Sequence, residues 1–183
     1  NGGESMSALI TRSKSYRELL TRLKEQIQSA RMRAVLAVNR ELIVLYWGIG
    51  KEILHRQEKE GWGARVIERI AQDLSKAFPE MQGLSPRNLK YMRAFAEAWP
   101  EEAIVQQLVA QIPWGHNLRI LDSVKKPSER LFYVKQTIQQ GWSRTVLELQ
   151  IESGLHRRQG KAVTNFKAAL PAAQSNLAQQ LIK

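Results

Sequence analysis

Leu84-Ser85-Pro86-Arg87-Asn88-Leu89-Lys90-Tyr91-Met92-Arg93-Ala94-Phe95-Ala96-Glu97-Ala98-Trp99 reads as one capped helix with two unlike faces. Ser85 can cap the first turn, Pro86 is preset for the first helical position, and Leu84 can staple to Leu89 four positions past the cap. On a helical wheel Leu89, Met92, Phe95, Ala96 and Trp99 share one side, while Arg87, Lys90, Tyr91 and Ala94 fall opposite. An outward face of two cations, an aromatic ring and a small residue suits a helix laid against phosphates and base edges. The same pattern also describes an ordinary solvated face on a core helix.

The residues before it supply a partner helix. Val66, Ile67, Ile70, Ala71, Leu74 and Phe78 recur at helical spacing, so a helix is expected over 64–78, stopped by Pro79 and followed by Met81-Gln82-Gly83. A helix, a glycine-containing turn and a Ser-Pro-capped second helix outline a helix-turn-helix unit, with a longer turn than the tight form.

Whole-chain numbers narrow the partners. The 183 residues, 43% hydrophobic and 25% charged, suffice for one substantial core or two small ones. Lys and Arg number 28 against 17 acids, and the net charge of +11 favours a polyanion, nucleic acid ahead of an anionic membrane surface. The excess is concentrated in residues 1–60 and 143–183, each carrying +4. Cysteine is absent, so disulfides and thiolate chemistry are excluded. The longest apolar run, Leu42 to Trp47, is far short of the ~20 residues of a membrane span, and no signal peptide is evident. A soluble, cytoplasmic protein without membrane contact is expected.

From Ser13 or Ser15 onward a helical pattern continues with no proline before Pro79. Tyr16, Leu20, Leu23, Ile27, Ala30, Ala34 and Ala37 follow alternating steps of four and three, and Val38, Leu42, Leu45 and Ile49 resume them after a one-residue shift. An unbroken helix from Ser15 to Lys59 would reach roughly 65 Å, so either it breaks, with Gly48 and Gly50 the favoured points, or a second chain covers it. A homodimer through this helix and an intramolecular helical hairpin are both open.

Farther on, Gly61-Trp62-Gly63 echoes Gly141-Trp142-Ser143, each a helix-to-helix corner where glycine ends one helix and tryptophan covers the junction. Ile104, Val105, Leu108, Val109 and Ile112 favour a short helix, Pro113-Trp114-Gly115 a turn, and Asn117 to Val124 another short helix, with room for a small wing within 100–116. Pro127 starts a helix to Gln140, and Ser143 caps one that ends at Gly154. Leu155 to Lys161 is either a solvated loop or a basic arm whose Arg157, Arg158 and Lys161 follow a nucleic-acid backbone. The expected organisation is a tag remnant or unstructured start over 1–12, a long helix or hairpin over 13–60, a helical domain over 61–170, and a linker over 171–183.

Catalytic signals are sparse. His55, His116 and His156 lack metal-ligand spacing, no glycine-rich phosphate loop is present, and no acid is followed two positions later by lysine, the element of many metal-dependent nucleases. Trp47, Trp62, Trp99, Trp114 and Trp142 are expected mostly at helix ends, covering the core.

Several motifs, in one order, resemble the N-terminal domain of the YhcG-like family: Leu45-Tyr46-Trp47-Gly48-Ile49-Gly50, Gly61-Trp62-Gly63, Asp73-Leu74-Ser75, Phe78-Pro79, Gly83-Leu84-Ser85-Pro86-Arg87-Asn88-Leu89, Tyr91-Met92, Pro113-Trp114-Gly115-His116-Asn117 and Gly141-Trp142-Ser143-Arg144. The resemblance implies a helical, helix-turn-helix-like domain preceding a nuclease domain of the PD-(D/E)XK type, whose catalytic acids and lysine would lie beyond Lys183. The expectation is a mainly α, non-catalytic domain, without metal or cofactor, that binds DNA or a structured nucleic acid through Arg87, Asn88, Lys90, Tyr91 and Arg93, with Arg157, Arg158 and Lys161 on the backbone. The alternative is an assembly domain that dimerises or docks a protein partner such as a methyltransferase or an inhibitor.

Overall fold

The computed structural model describes residues 13–159. Ser13 caps α1, Lys14–Glu60, its Oγ accepting the Tyr16 amide hydrogen at 3.1 Å. At about 1.5 Å per residue its 47 residues make a rod roughly 70 Å long. The break expected at Gly48 and Gly50 does not occur. Gly48 faces open space, whereas Gly50 marks a helix crossing, where a Cβ would stand 1.9 Å from the Met92 carbonyl oxygen. Glycine costs a helix about 1 kcal/mol, and here backbone-to-backbone packing offsets that penalty.

After α1 come α2 (Ala64–Ala77), α3 (Pro86–Ala98), α4 (Glu102–Gln107), a 3-10 turn (Val109–Gln111), α5 (Trp114–Ser123), α6 (Pro127–Gln140) and α7 (Arg144–Glu152). The protein is mainly α, and no strand occurs among the described residues. The small wing allowed within 100–116 is therefore replaced by α4 and the 3-10 turn, which bury Val105, Val109, Ala110 and Ile112 along one side. Pro113-Trp114-Gly115 is not a separate turn: Pro113, with φ −60°, caps α5, and Trp114 opens it. Gly61 and Gly141 end α1 and α6 in the left-handed conformation, at φ 66° and 62°, so the two corners share their chemistry. Residues 155–159 form a further helical turn rather than a loop. The segments 1–12 and 171–183, and Lys161, lie outside the described residues.

The core is organised by α3 lying across the C-terminal half of α1. Leu89 and Met92 join Tyr46, Ile53, Ile67 and Ala71 in one cluster, while Phe95, Ala96 and Trp99 join Ile43, Trp47, Val105, Val109, Ile120, Tyr133, Val134 and Leu147 in another. Leu89, Met92 and Phe95 are wholly buried, so truncating Phe95 to Ala would cost about 3–5 kcal/mol. Trp47, in the middle of α1 and not at an end, donates its indole N–H to the Trp99 carbonyl at 2.7 Å and locks the crossing. Two asparagines satisfy the carbonyls around the 3-10 turn: Asn39 Nδ2 donates to Ala110 and Ile112, and buried Asn117 Nδ2 to Val109 and Ile112. Helices α2 and α3 do follow one another through residues 78–85. α3 is nonetheless a central element, packed on α1, α2 and α5, and not a helix standing clear of the domain.

The N-terminal half of α1 differs. From Leu19 to Val38 every residue is exposed, apolar ones included: Ile27 retains 58% of its surface, Met32 61% and Val35 64%. Burial begins at Asn39 and Ile43, where the rest of the chain meets the rod.

Candidate nucleic-acid interface

An open cleft of about 750 Å³ lies where α1, α3, α5 and α7 converge. Its cations are Arg87 at the start of α3, Arg119 in α5 and Arg144 at the start of α7, against one lining carboxylate, Asp122. Its floor is aromatic. Trp114 meets Tyr46 and Phe95 edge-on, with ring centroids 5.0 and 5.1 Å apart. Burial raises the pKa of Tyr46, and its hydroxyl donates toward the Gln82 carbonyl at 3.5 Å.

Local structure places each of these groups. Ser85 Oγ accepts the Asn88 amide hydrogen at 3.2 Å and closes the first turn of α3, presenting Arg87 at the rim. Ser143 caps α7 in the same way through Val146 and presents Arg144, whose Cδ lies over Gly115. Arg119 is tied to Glu148 and, at 3.8 Å, to Glu152, while its buried Nε has no partner among the described residues. Arg87 and Arg144 form no ion pair among the described residues, which leaves two guanidiniums available to an anion. Arg87 also lies 5.8 Å from the centre of the Tyr91 ring.

The residues expected at the interface divide accordingly. Arg87, Asn88 and Tyr91 line the cleft. Asn88 is a clamp, not a free contact: its Nδ2 donates to the Gly83 carbonyl at 2.7 Å and its Oδ1 accepts the Trp114 indole N–H at 2.8 Å. Tyr91 and Ala94, read from the wheel as outward, are half-buried, because α5 packs over that side and Asp122 accepts the Tyr91 hydroxyl at 3.1 Å. Lys90 points to Glu68 on α2 at 3.9 Å, and Arg93 to Glu97 at 3.7 Å. Ion pairs this long and this exposed are worth about 0–1 kcal/mol, so a phosphate can displace them. Arg157 and Arg158 are exposed on the last helical turn and do not line the cleft. Arg144 opens α7 and they follow its end, so most of that helix, roughly 12 Å, separates them.

Sequence reasoning about a single helix missed Arg119, Arg144, Trp114 and Asp122. A signal was present: the quoted motifs containing Tyr46, Gly83 to Asn88, Tyr91, Trp114-Gly115 and Arg144 all converge on this one cleft. Nothing in their spacing showed that they meet, since they come from four helices.

Two of the three histidines serve packing, and His55 is exposed on α1. His116 Nε2 bonds the Trp142 carbonyl at 2.9 Å, fixing the second glycine-tryptophan corner, and His156 Nδ1 bonds the Tyr133 hydroxyl at 2.9 Å. Burial raises the pKa of Tyr133, partly opposed by a backbone hydrogen bond from His156. Among the described residues no cluster of His, Asp and Glu could hold a metal ion, and no helix is long and apolar enough to cross a membrane.

Comparison with known proteins follows the same contour. Residues 22–158 match the family described as DUF1016 N-terminal domain. A protein of Escherichia coli (strain K12), named "Putative nuclease YhcG", is 27% identical over 206 aligned positions, covering 92% of this chain and 54% of that protein. The chain thus spans about half the length of the curated relative it matches. No solved structure matches it.

Proposed function

This chain belongs to the DUF1016 N-terminal domain family, and from that premise we propose that it is a non-catalytic, nucleic-acid-binding part of a nuclease, holding DNA or a structured nucleic acid for a catalytic unit carried elsewhere on the parent protein. The observation that carries this reading is the grouping of Arg87, Arg119 and Arg144 around one aromatic-floored cleft. Guanidiniums bind phosphate oxygens in a fork, and aromatic rings tolerate any base, a combination suited to a backbone and its adjoining nucleotides. Arg157 and Arg158, with Lys161, would extend the contact along the strand. Such work would be done where the nucleic acid is, in the cytoplasm. Asn88 shapes the cleft and Tyr91 holds its wall, while Lys90 and Arg93 contribute at the edges.

The test is a duplex titration at two salt concentrations with Arg87 and Arg144 both changed to Ala. Affinity should fall about 10- to 100-fold, and the slope of log K against log salt should shrink by about 2, one unit for each lost phosphate contact. Thermal stability should be unchanged, because both side chains are exposed. Equal affinity of variant and parent chain would remove the cleft from the function. A second reading, a docking domain, is favoured by a different feature, the uncovered half of α1.

A further inference from the structure

The exposed half of α1 has a definite layout. Leu20, Leu23, Ile27, Ala30 and Ala34 form a single stripe, with Leu23 and Ile27 keeping 44% and 58% of their surface. At about 100° per residue, Arg17, Lys24 and Arg31 border it on one side and Arg22, Arg33 and Arg40 on the other, each roughly 60–120° from its midline. Glu18 and Glu25 lie roughly 160–180° away, on the far side of the rod, and Glu41, next to Arg40, falls on the line of the stripe itself. Neither border contains a carboxylate. Among the described residues none of the six bordering cations forms an ion pair.

This pattern says what can cover the stripe. A second copy of the chain would bring the same two rows of cations and no carboxylate on either border to meet them. A bilayer would gain little from the stripe's alanine end, which instead lets another helix approach closely. We infer that the projecting half of α1 docks an α-helix of a different protein, one whose apolar stripe is bordered by Asp and Glu. The apolar contacts supply the attraction, and the charge rows select the partner and its register. The cleft plays no part in this contact, so either can fail without the other.

The probe is a synthetic helical peptide with Leu and Ile on one stripe and Glu on both borders, paired with a twin carrying Lys instead. Titrated into the full chain, the Glu peptide should bind at least about tenfold more tightly than the Lys twin, and the difference should narrow at high salt. Leu23→Ser with Ile27→Ser should abolish binding while leaving the melting temperature unchanged. Arg31→Glu with Arg33→Glu should shift preference toward the Lys twin. The inference is overturned by equal binding of the two peptides, by no binding of the Glu peptide to the folded chain, or by substitutions that leave its binding intact. It is equally overturned if the chain alone forms a dimer, or binds phosphatidylserine vesicles, and loses that property with Leu23→Ser and Ile27→Ser.

Discussion

The two halves of α1 obey the same helical rules and end in opposite circumstances. From Ile43 to Ile53 the rod is the spine of a core, crossed by α3 and wedged by Trp47. From Leu19 to Val38 it carries an equally periodic apolar pattern with nothing against it among the described residues. Periodicity states that a face is to be covered; it does not say by what. Inside the domain the cover is the same chain, and the cleft forms as a by-product of that packing. Along the projecting half the cover is the charged-border helix inferred above.

The sharpest way to break the contrast is at the two glycines. Gly50→Leu should destabilise the domain by more than about 3 kcal/mol, since a side chain has to displace the Met92 backbone, and it should separate α3 from α1. Gly48→Leu, two positions away in open space, should stabilise by up to about 1 kcal/mol through helix propensity alone. Chemical denaturation of the two variants checks this directly, and similar midpoints would show that the crossing is not close-packed.

Hydrogen exchange should divide the same helix in two. Amides of residues 20–34 are expected to exchange at least about 100-fold faster than those of residues 43–54, because a helix without tertiary cover is marginal in water. Uniform protection along the rod would mean that its N-terminal half is already covered. Addition of the Glu peptide should slow the fast set only.

A smaller effect is expected at the cleft wall. Asn88→Ala leaves the Trp114 indole N–H and the Gly83 carbonyl without partners and should cost about 1–3 kcal/mol, measured by thermal unfolding. Nucleic-acid affinity should fall with it, as the wall between Arg87 and Trp114 loosens. Loss of affinity without loss of stability would instead make Asn88 a direct contact.

Much of this architecture was legible residue by residue. Ser85 and Ser143 cap the helices they were expected to cap, Ser13 and not Ser15 opens α1, Gly61 and Gly141 end theirs in the left-handed conformation, and the inward face from Leu89 to Trp99 is the buried one. The outward face was harder. A helical wheel knows only the helix it is drawn on, so it could not show that α5 would half-bury Tyr91 and Ala94, or that Glu68 would stand beside Lys90. Gly50 misled for a related reason: a glycine that weakens an isolated helix is what permits another helix to touch it. The likeness to a known family was carried by short motifs, several of which meet at one cleft that no linear spacing reveals.

By itself the sequence determined most of the helices, several of their caps and the overall positive charge, because capping, periodicity and composition act over a few residues at a time. Only the tertiary structure decided where the guanidiniums gather, which apolar stripe stays bare, and whether α1 runs through its glycines. Those outcomes depend on groups far apart in the chain, and their meeting is fixed by packing, not by local preference.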